Sequence, residues 1–185
     1  MQQGRQKPAL LHIQHRTERP MENLENMEKI EAAQTELGQF LVSMMPVPWT
    51  KICFYADCAP GYAETFFAFV EAETGVISTM DFFWKRYDSY SVKKMDAYRK
   101  LAELALSLYN AYLERFGEEK IWRSMFYTLD SDGAVHIDFT FEELPGSSLE
   151  QRDAVFERFF HTDYNYYKGK YPSTDFIPPK KKNQA

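Results

Sequence analysis

Three short β-type segments follow one another in the first half of the chain, and they constrain its fold more than any other feature. The first, residues 50–58, alternates apolar and more polar side chains, which predicts a half-buried strand. Residues 65–71 and 76–84 are rich in β-branched and aromatic side chains, which favour strands. Because the turns Ala59-Pro60-Gly61 and Glu73-Thr74-Gly75 connect these segments, a three-stranded meander is the simplest arrangement.

Two long helical segments flank the meander. Apolar residues recur at three- and four-residue intervals from Glu22 to about Met45, and again between Ser91 and Gly117, which predicts two amphipathic helices. Pro46 should stop the first helix. Ser91 is a suitable N-cap for the second helix, and Gly117 should end it.

A predicted hairpin and a third helix complete the fold. Residues 121–129 and 134–142 flank Ser131-Asp132-Gly133, and Asp-Gly between alternating strands is a strong hairpin signal. Residues 149–160 have the pattern of a short amphipathic helix. The order α-β-β-β-α-β-β-α predicts an α+β fold, with an antiparallel sheet of about five strands. We expect the helices to pack on one face of the sheet and the other face to be partly exposed.

The 185 residues fit one domain. We expect residues 1–20 to form a disordered basic extension, residues 21–171 the α+β domain, and residues 172–185 a disordered tail rich in proline and lysine. The longest apolar runs are far shorter than the ~20 residues of a membrane-spanning helix. No apolar segment with a small-residue cleavage site opens the chain. These patterns predict a cytoplasmic protein that does not bind membranes.

The predicted domain is acidic. Residues 21–171 carry 15 basic and 25 acidic side chains, a net charge of −10. Because an acidic surface repels phosphate groups, we expect no direct binding of nucleic acid. The charge would speed encounter with a basic partner, and nucleases are basic because they hold nucleic acid. Solubility alone is the other explanation of the same charge.

No sequence pattern is typical of a catalytic, metal or cofactor site. Cys53 and Cys58 lie roughly 16 Å apart if both belong to one strand, too far for a disulfide, so we expect buried, reduced thiols. Cys53 and His136 could approach across the sheet, but a cysteine in an apolar strand without a local base is usually inert. The histidines form no ligand cluster, and the glycines are scattered singly. We predict a protein that is not an enzyme and holds no metal and no cofactor.

Polar and aromatic side chains are the remaining candidates for function, and they suit a protein partner. Several share the predicted outer face of the sheet, and an aromatic run follows the last helix. Tyrosine is enriched at interface hot spots. A solvated sheet face, or tyrosines that pack back onto the domain, would explain the same residues. The candidate partner-binding residues are Tyr55, Asp57, His136, Asp138, Thr140, Glu142, Tyr164 and Tyr167.

Several segments resemble the YezG family of immunity proteins. Residues 44–56, Met-Met-Pro-Val-Pro-Trp-Thr-Lys-Ile-Cys-Phe-Tyr-Ala, are similar to the opening of that family, in which a helix ends at a Pro-Val-x-Trp step and enters a strand closing with Tyr-Ala. Ile121-Trp122, the segment 136–144 and the last helix with Arg152 follow in the family's order. The resemblance covers about residues 22–171.

The resemblance implies an antitoxin. Members of the family are made beside a secreted toxin of the LXG type and block its C-terminal nuclease domain by tight, stoichiometric binding. The expected partner is therefore the C-terminal domain of a cognate toxin, a basic nuclease. A regulatory or scaffold module that binds a different protein through the same surface is the alternative, and the sequence leaves the oligomeric state open.

Overall fold

The computed structural model describes residues 20–79, 94–142, 144 and 148–161. Its helices are α1 (Pro20–Ser43), α2 (Lys94–Phe116) and α3 (Ser148–Phe160), and a 3-10 turn (Glu118–Lys120) follows α2. Its strands are β1 (Trp49–Ala59), β2 (Tyr62–Glu71), β3 (Ile77–Thr79), β4 (Ser124–Asp130) and β5 (Val135–Thr140).

The strands form one antiparallel sheet in the order β3-β2-β1-β4-β5. The predicted α+β class and the predicted order of elements are confirmed. The meander β1-β2-β3 and the hairpin β4-β5 are joined through β1 and β4, with Phe54 opposite Tyr127. Phe54 and Tyr127 are almost completely buried, so this junction lies in the middle of the core.

The β4–β5 turn forms as its sequence predicts. Gly133 has φ +91°, a backbone conformation that glycine adopts without a steric penalty. The Gly133 N–H donates to the Asp130 carbonyl at 2.9 Å, and the Ala134 N–H donates to Asp132 Oδ1 at 2.9 Å. The Asp-Gly pair therefore sets the register of the hairpin.

Helices α1 and α2 pack together on one face of the sheet. Leu37 and Leu41 of α1 are fully buried, as is Leu108 of α2. At the solvent side, Lys29 of α1 contacts Glu114 of α2 at 3.1 Å. That ion pair is exposed and contributes little to stability, so the apolar contacts hold the two helices to the sheet.

The last helix packs on the opposite face, and the expectation that all helices share one face is wrong for α3. Phe126 and Tyr127 are neighbours on β4 and therefore point to opposite faces. Phe126 contacts Phe159 of α3, with ring centroids 5.6 Å apart, whereas the Tyr127 hydroxyl lies against Gly38 of α1. Phe156 is also fully buried. The apolar side of α3 thus removes part of the second sheet face from water.

This placement makes β1 a fully buried strand. Every residue from Ile52 to Cys58 is buried, and the half-buried strand predicted from the alternation is wrong. Phe54 faces the side of the sheet that α1 and α2 cover, and Tyr55 faces the side of α3. The more polar positions of β1, such as Tyr55, correctly identify the second face of the sheet. Because α3 packs on that face, they are buried as well.

Some predicted features lie outside the described residues. They are the extension (residues 1–19) and the tail beyond His161. The end of the third predicted strand and the predicted N-cap Ser91 also lie outside, within residues 80–93. Within the described part, the predicted helix from Glu22 to Met45 corresponds to α1, and the end of α2 before Gly117 is as predicted.

Candidate partner-binding surface

Tyr55 and Asp57, two of the predicted partner-binding residues, are buried between the sheet and α3. Their exposed fractions are 6% and 8%. The Tyr55 hydroxyl hydrogen-bonds the Ser124 hydroxyl at 3.2 Å. Tyr55 and Asp57 line a small cavity together with Val155 of α3. The expectation that Tyr55 and Asp57 lie on an exposed sheet face is therefore wrong.

Asp57 instead forms an ion pair with Arg123, which precedes β4. Asp57 Oδ1 lies 2.8 Å from Arg123 Nη2, and both side chains are mostly removed from water. Arg123 also donates through Nη1 to the Cys58 carbonyl at 3.3 Å. Its backbone N–H donates to the Thr140 carbonyl at 2.7 Å, and its own carbonyl accepts from the Cys58 N–H. Arg123 thus connects β1 and β5 at the start of β4.

The remaining described candidates lie on or beside β5. His136, Asp138 and Glu142 are exposed, and Thr140 is half-buried. Asp138 Oδ1 lies 3.3 Å from His136 Nε2, since residues two apart on a strand share one face. The structure therefore brings His136 and Asp138 together on the surface. Tyr164 and Tyr167 lie outside the described residues.

Arg158 of α3 belongs to the same surface, and the sequence interpretation did not identify it. Its Nη2 lies 3.4 Å from Asp138 Oδ2, and its guanidinium lies 3.9 Å above the centre of the Phe126 ring. A cation over an aromatic face is attracted by the ring quadrupole. The sequence feature that could have identified Arg158 is its position beside the apolar residues Val155 and Phe159, which places it at the rim of the helix–sheet contact.

A shallow groove lies between α1 and the hairpin, on the sheet face opposite the one that carries His136 and Asp138. It has a volume of about 530 Å³ and a mainly apolar lining. Val42 of α1 and Val135 of β5 border it, and both are more than 40% exposed. At Gly38, an added Cβ would lie 2.6 Å from the Tyr127 hydroxyl. The absence of a side chain at Gly38 allows the tyrosine to reach the α1 backbone.

The two cysteines are free and buried. Burial raises the pKa of both Cys53 and Cys58 to about 12, so both are protonated thiols at neutral pH. Cys53 faces Thr128 on β4, and Thr128 faces His136 on β5. Because neighbouring strands are about 4.8 Å apart, Cys53 and His136 are separated by two strand spacings and do not meet.

Two further findings concern the described residues only. No group of three or more His, Cys, Asp or Glu side chains among them is arranged to hold a metal ion. None of the helices in these ranges has the length and hydrophobicity that crossing a membrane requires.

The chain is similar to known immunity proteins. A family model described as "Immunity protein YezG-like" matches residues 30–176. This range contains most of α1 and all of the described strands. The chain is also 27% identical to "Immunity protein YezG" of Bacillus subtilis (strain 168) over 127 residues, which are 65% of this chain and 80% of that protein.

Proposed function

The chain belongs to the YezG-like immunity protein family, and from this premise we propose that it is an antitoxin that binds and neutralises a cognate secreted toxin. The family match over residues 30–176 is the observation that carries the proposal. It confirms the resemblance noted in the sequence. The finer proposal is that the target is the C-terminal nuclease domain of an LXG-type polymorphic toxin, inhibited in the cytoplasm by direct binding and without a chemical step.

Charge supports a nuclease as the target. Residues 124–142, the β4–β5 hairpin and its flank, contain Asp130, Asp132, Asp138 and Glu142, with no lysine or arginine. A nuclease domain presents positive charge to nucleic acid phosphates. An acidic inhibitor would be steered to that surface, and steering raises the association rate more than it raises the contact energy.

The exposure of the carboxylates also supports binding of a basic partner at β5. Asp132, Asp138 and Glu142 are exposed, whereas Asp57 is enclosed and paired with Arg123. Carboxylates on and beside β5 can therefore contact a partner without any rearrangement of the core. The buried Asp57 would instead act indirectly, by holding β4 and β5 in place.

Co-expression in a bacterial host tests the proposal. The C-terminal domain of the toxin encoded beside this protein is expressed from an inducible promoter, with this protein, with an unrelated antitoxin, or alone. We expect growth only with this protein, and co-purification of a complex with one copy of each chain. The unrelated antitoxin controls for a general effect of co-expression on toxin level.

The opposite result would identify the alternative. If both proteins are folded and expressed and the toxin still kills the cells, the antitoxin proposal for this pair fails. A regulatory or scaffold module that binds a different protein would then explain the surface. Rescue without a complex would show that neutralisation does not use direct binding.

A further inference from the structure

We propose that the outer edge of β5 binds an extended segment of the partner protein, which adds a strand to the sheet and carries apolar side chains on one face and basic side chains on the other. This inference rests on the proposed function, because it assumes a protein partner. It specifies the surface and the mode of binding.

On one side, the β5 backbone carries hydrogen-bonding groups that no described strand uses. Within the described residues, β5 has β4 on one side and no strand on the other. The carbonyls of Ala134 and Thr140 accept hydrogen bonds from the N–H groups of Asp130 and Arg123. In an antiparallel ladder successive residues point to opposite sides. Val135, Ile137 and Phe139 therefore direct their N–H and C=O groups away from β4.

The edge has few of the features that usually prevent strand pairing. In natural proteins, proline, lysine or a very short length often prevents an edge strand from pairing with another chain. Val135–Thr140 contains neither proline nor lysine, and its six residues extend about 20 Å. This length matches an ordinary strand, and backbone hydrogen bonds to such an edge are an established mode of peptide recognition.

The apolar groove favours apolar side chains on one face of the bound segment. Val135, Ile137 and Phe139 point to the side of the sheet that carries α1, as shown by Phe139 opposite Met125 and Ile137 opposite Tyr127. A strand added beside β5 would place alternate side chains next to this row and over the groove bordered by Val42. Apolar side chains there would bury surface that is now exposed.

The acidic hairpin favours basic side chains on the other face of the bound segment. His136 and Asp138 point away from the groove. The hairpin and its flank carry four carboxylates without lysine or arginine. Arg158 of α3 partly offsets Asp138, and Lys51 of β1 lies opposite Asp130, so the excess negative charge lies mainly at the exposed Asp132 and Glu142. Lysine or arginine at the intervening positions of the bound segment would complement this charge. A second copy of β5 would instead bring the same four carboxylates to the edge. We therefore assign the edge to a basic segment of the partner.

Residue-resolved amide hydrogen exchange tests this assignment on the full chain. In the free protein, we expect the amides of Val135, Ile137 and Phe139 to exchange quickly and those of His136 and Asp138 slowly. In the complex with an inactivated C-terminal domain of the neighbouring toxin, the first three should be protected at least about tenfold. Slow exchange in the free protein would mean that another copy or another segment of this chain covers the edge, and would overturn the proposal.

A matched pair of lysine variants provides the second test. Val135→Lys places a cation at the edge, whereas Met95→Lys makes the same change of charge at an exposed residue of α2. We expect Val135→Lys to raise the Kd of the complex at least about tenfold and Met95→Lys to change it less than about twofold. Equal affinities for both variants, or three β5 amides that stay unprotected in the complex, would overturn the edge proposal alone. Failure of the wild-type protein to bind would overturn the proposed function and the edge proposal together.

Discussion

The side chain of Arg123 lies 2.8 Å from that of Asp57 and joins the two halves of the sheet. Asp57 belongs to the meander, and Arg123 begins the segment that forms the β4–β5 hairpin. The same guanidinium donates to the carbonyl of Cys58. This contact fixes β4 beside β1 and thereby positions the candidate surface on β5.

Replacing Arg123 should destabilise the protein strongly. The Arg123→Met variant removes one partner of a nearly buried ion pair and leaves the Asp57 carboxylate charged, and breaking a buried pair of this kind costs about 3 kcal/mol. The free energy of unfolding from urea titration measures this loss. The double variant Arg123→Met/Asp57→Leu should recover much of this loss, because it removes both charges of the pair. A double variant as unstable as the sum of both single variants would contradict this explanation.

Replacing Gly38 with alanine should also destabilise the protein, although alanine is favoured in helices. An added Cβ would lie 2.6 Å from the Tyr127 hydroxyl, and this tyrosine is only 2% exposed, so a shift of its ring would disturb the core packing. In a Tyr127→Phe background, Gly38→Ala should instead stabilise by up to about 1 kcal/mol, the usual gain over glycine within a helix. Thermal unfolding of the four proteins tests the change of sign. The same sign in both backgrounds would exclude the proposed clash.

Stability should decrease in alkaline solution because of the buried thiols. Burial raises the pKa of Cys53 and Cys58 from 9.0 to about 12. Above pH 9 the unfolded chain releases protons that the folded chain retains, so the contribution is complete below pH 9 and is lost between pH 9 and 12. Each thiol should lower the free energy of unfolding by roughly 1 kcal/mol per pH unit in this range. Urea titrations from pH 8 to 11 measure the slope, and a Cys53→Ala/Cys58→Ala variant should show a smaller one.

Neutralising the carboxylates beside β5 should slow association with the toxin domain. The Asp138→Asn/Glu142→Gln variant removes two negative charges that would attract a basic partner, so the association rate constant should fall several-fold and depend less on salt. The Glu25→Gln/Glu28→Gln variant on α1 makes the same change of charge away from β5 and serves as the control. Stopped-flow binding at two salt concentrations measures both. Equal rates for the two variants would place the acidic contact elsewhere.

Local sequence patterns predicted most of the secondary structure. Helical periodicity identified α1 and α2, and the Asp132-Gly133 pair identified the β4–β5 turn, since the signals for these elements lie within a few residues of one another. The candidate surface was predicted less completely. His136, Asp138 and Glu142 lie at the surface as expected, whereas Tyr55 and Asp57 are buried.

The sequence by itself therefore determined which segments form helices, strands and turns, and it carried enough resemblance to indicate the family. Tertiary structure alone decided that β4 pairs with β1 and that α3 covers the second sheet face. It also brought Arg158 to Asp138, twenty residues earlier in the chain. The physical reason is distance along the chain. Propensity and turn chemistry act between near neighbours, whereas burial and charge pairing depend on which distant segments pack together.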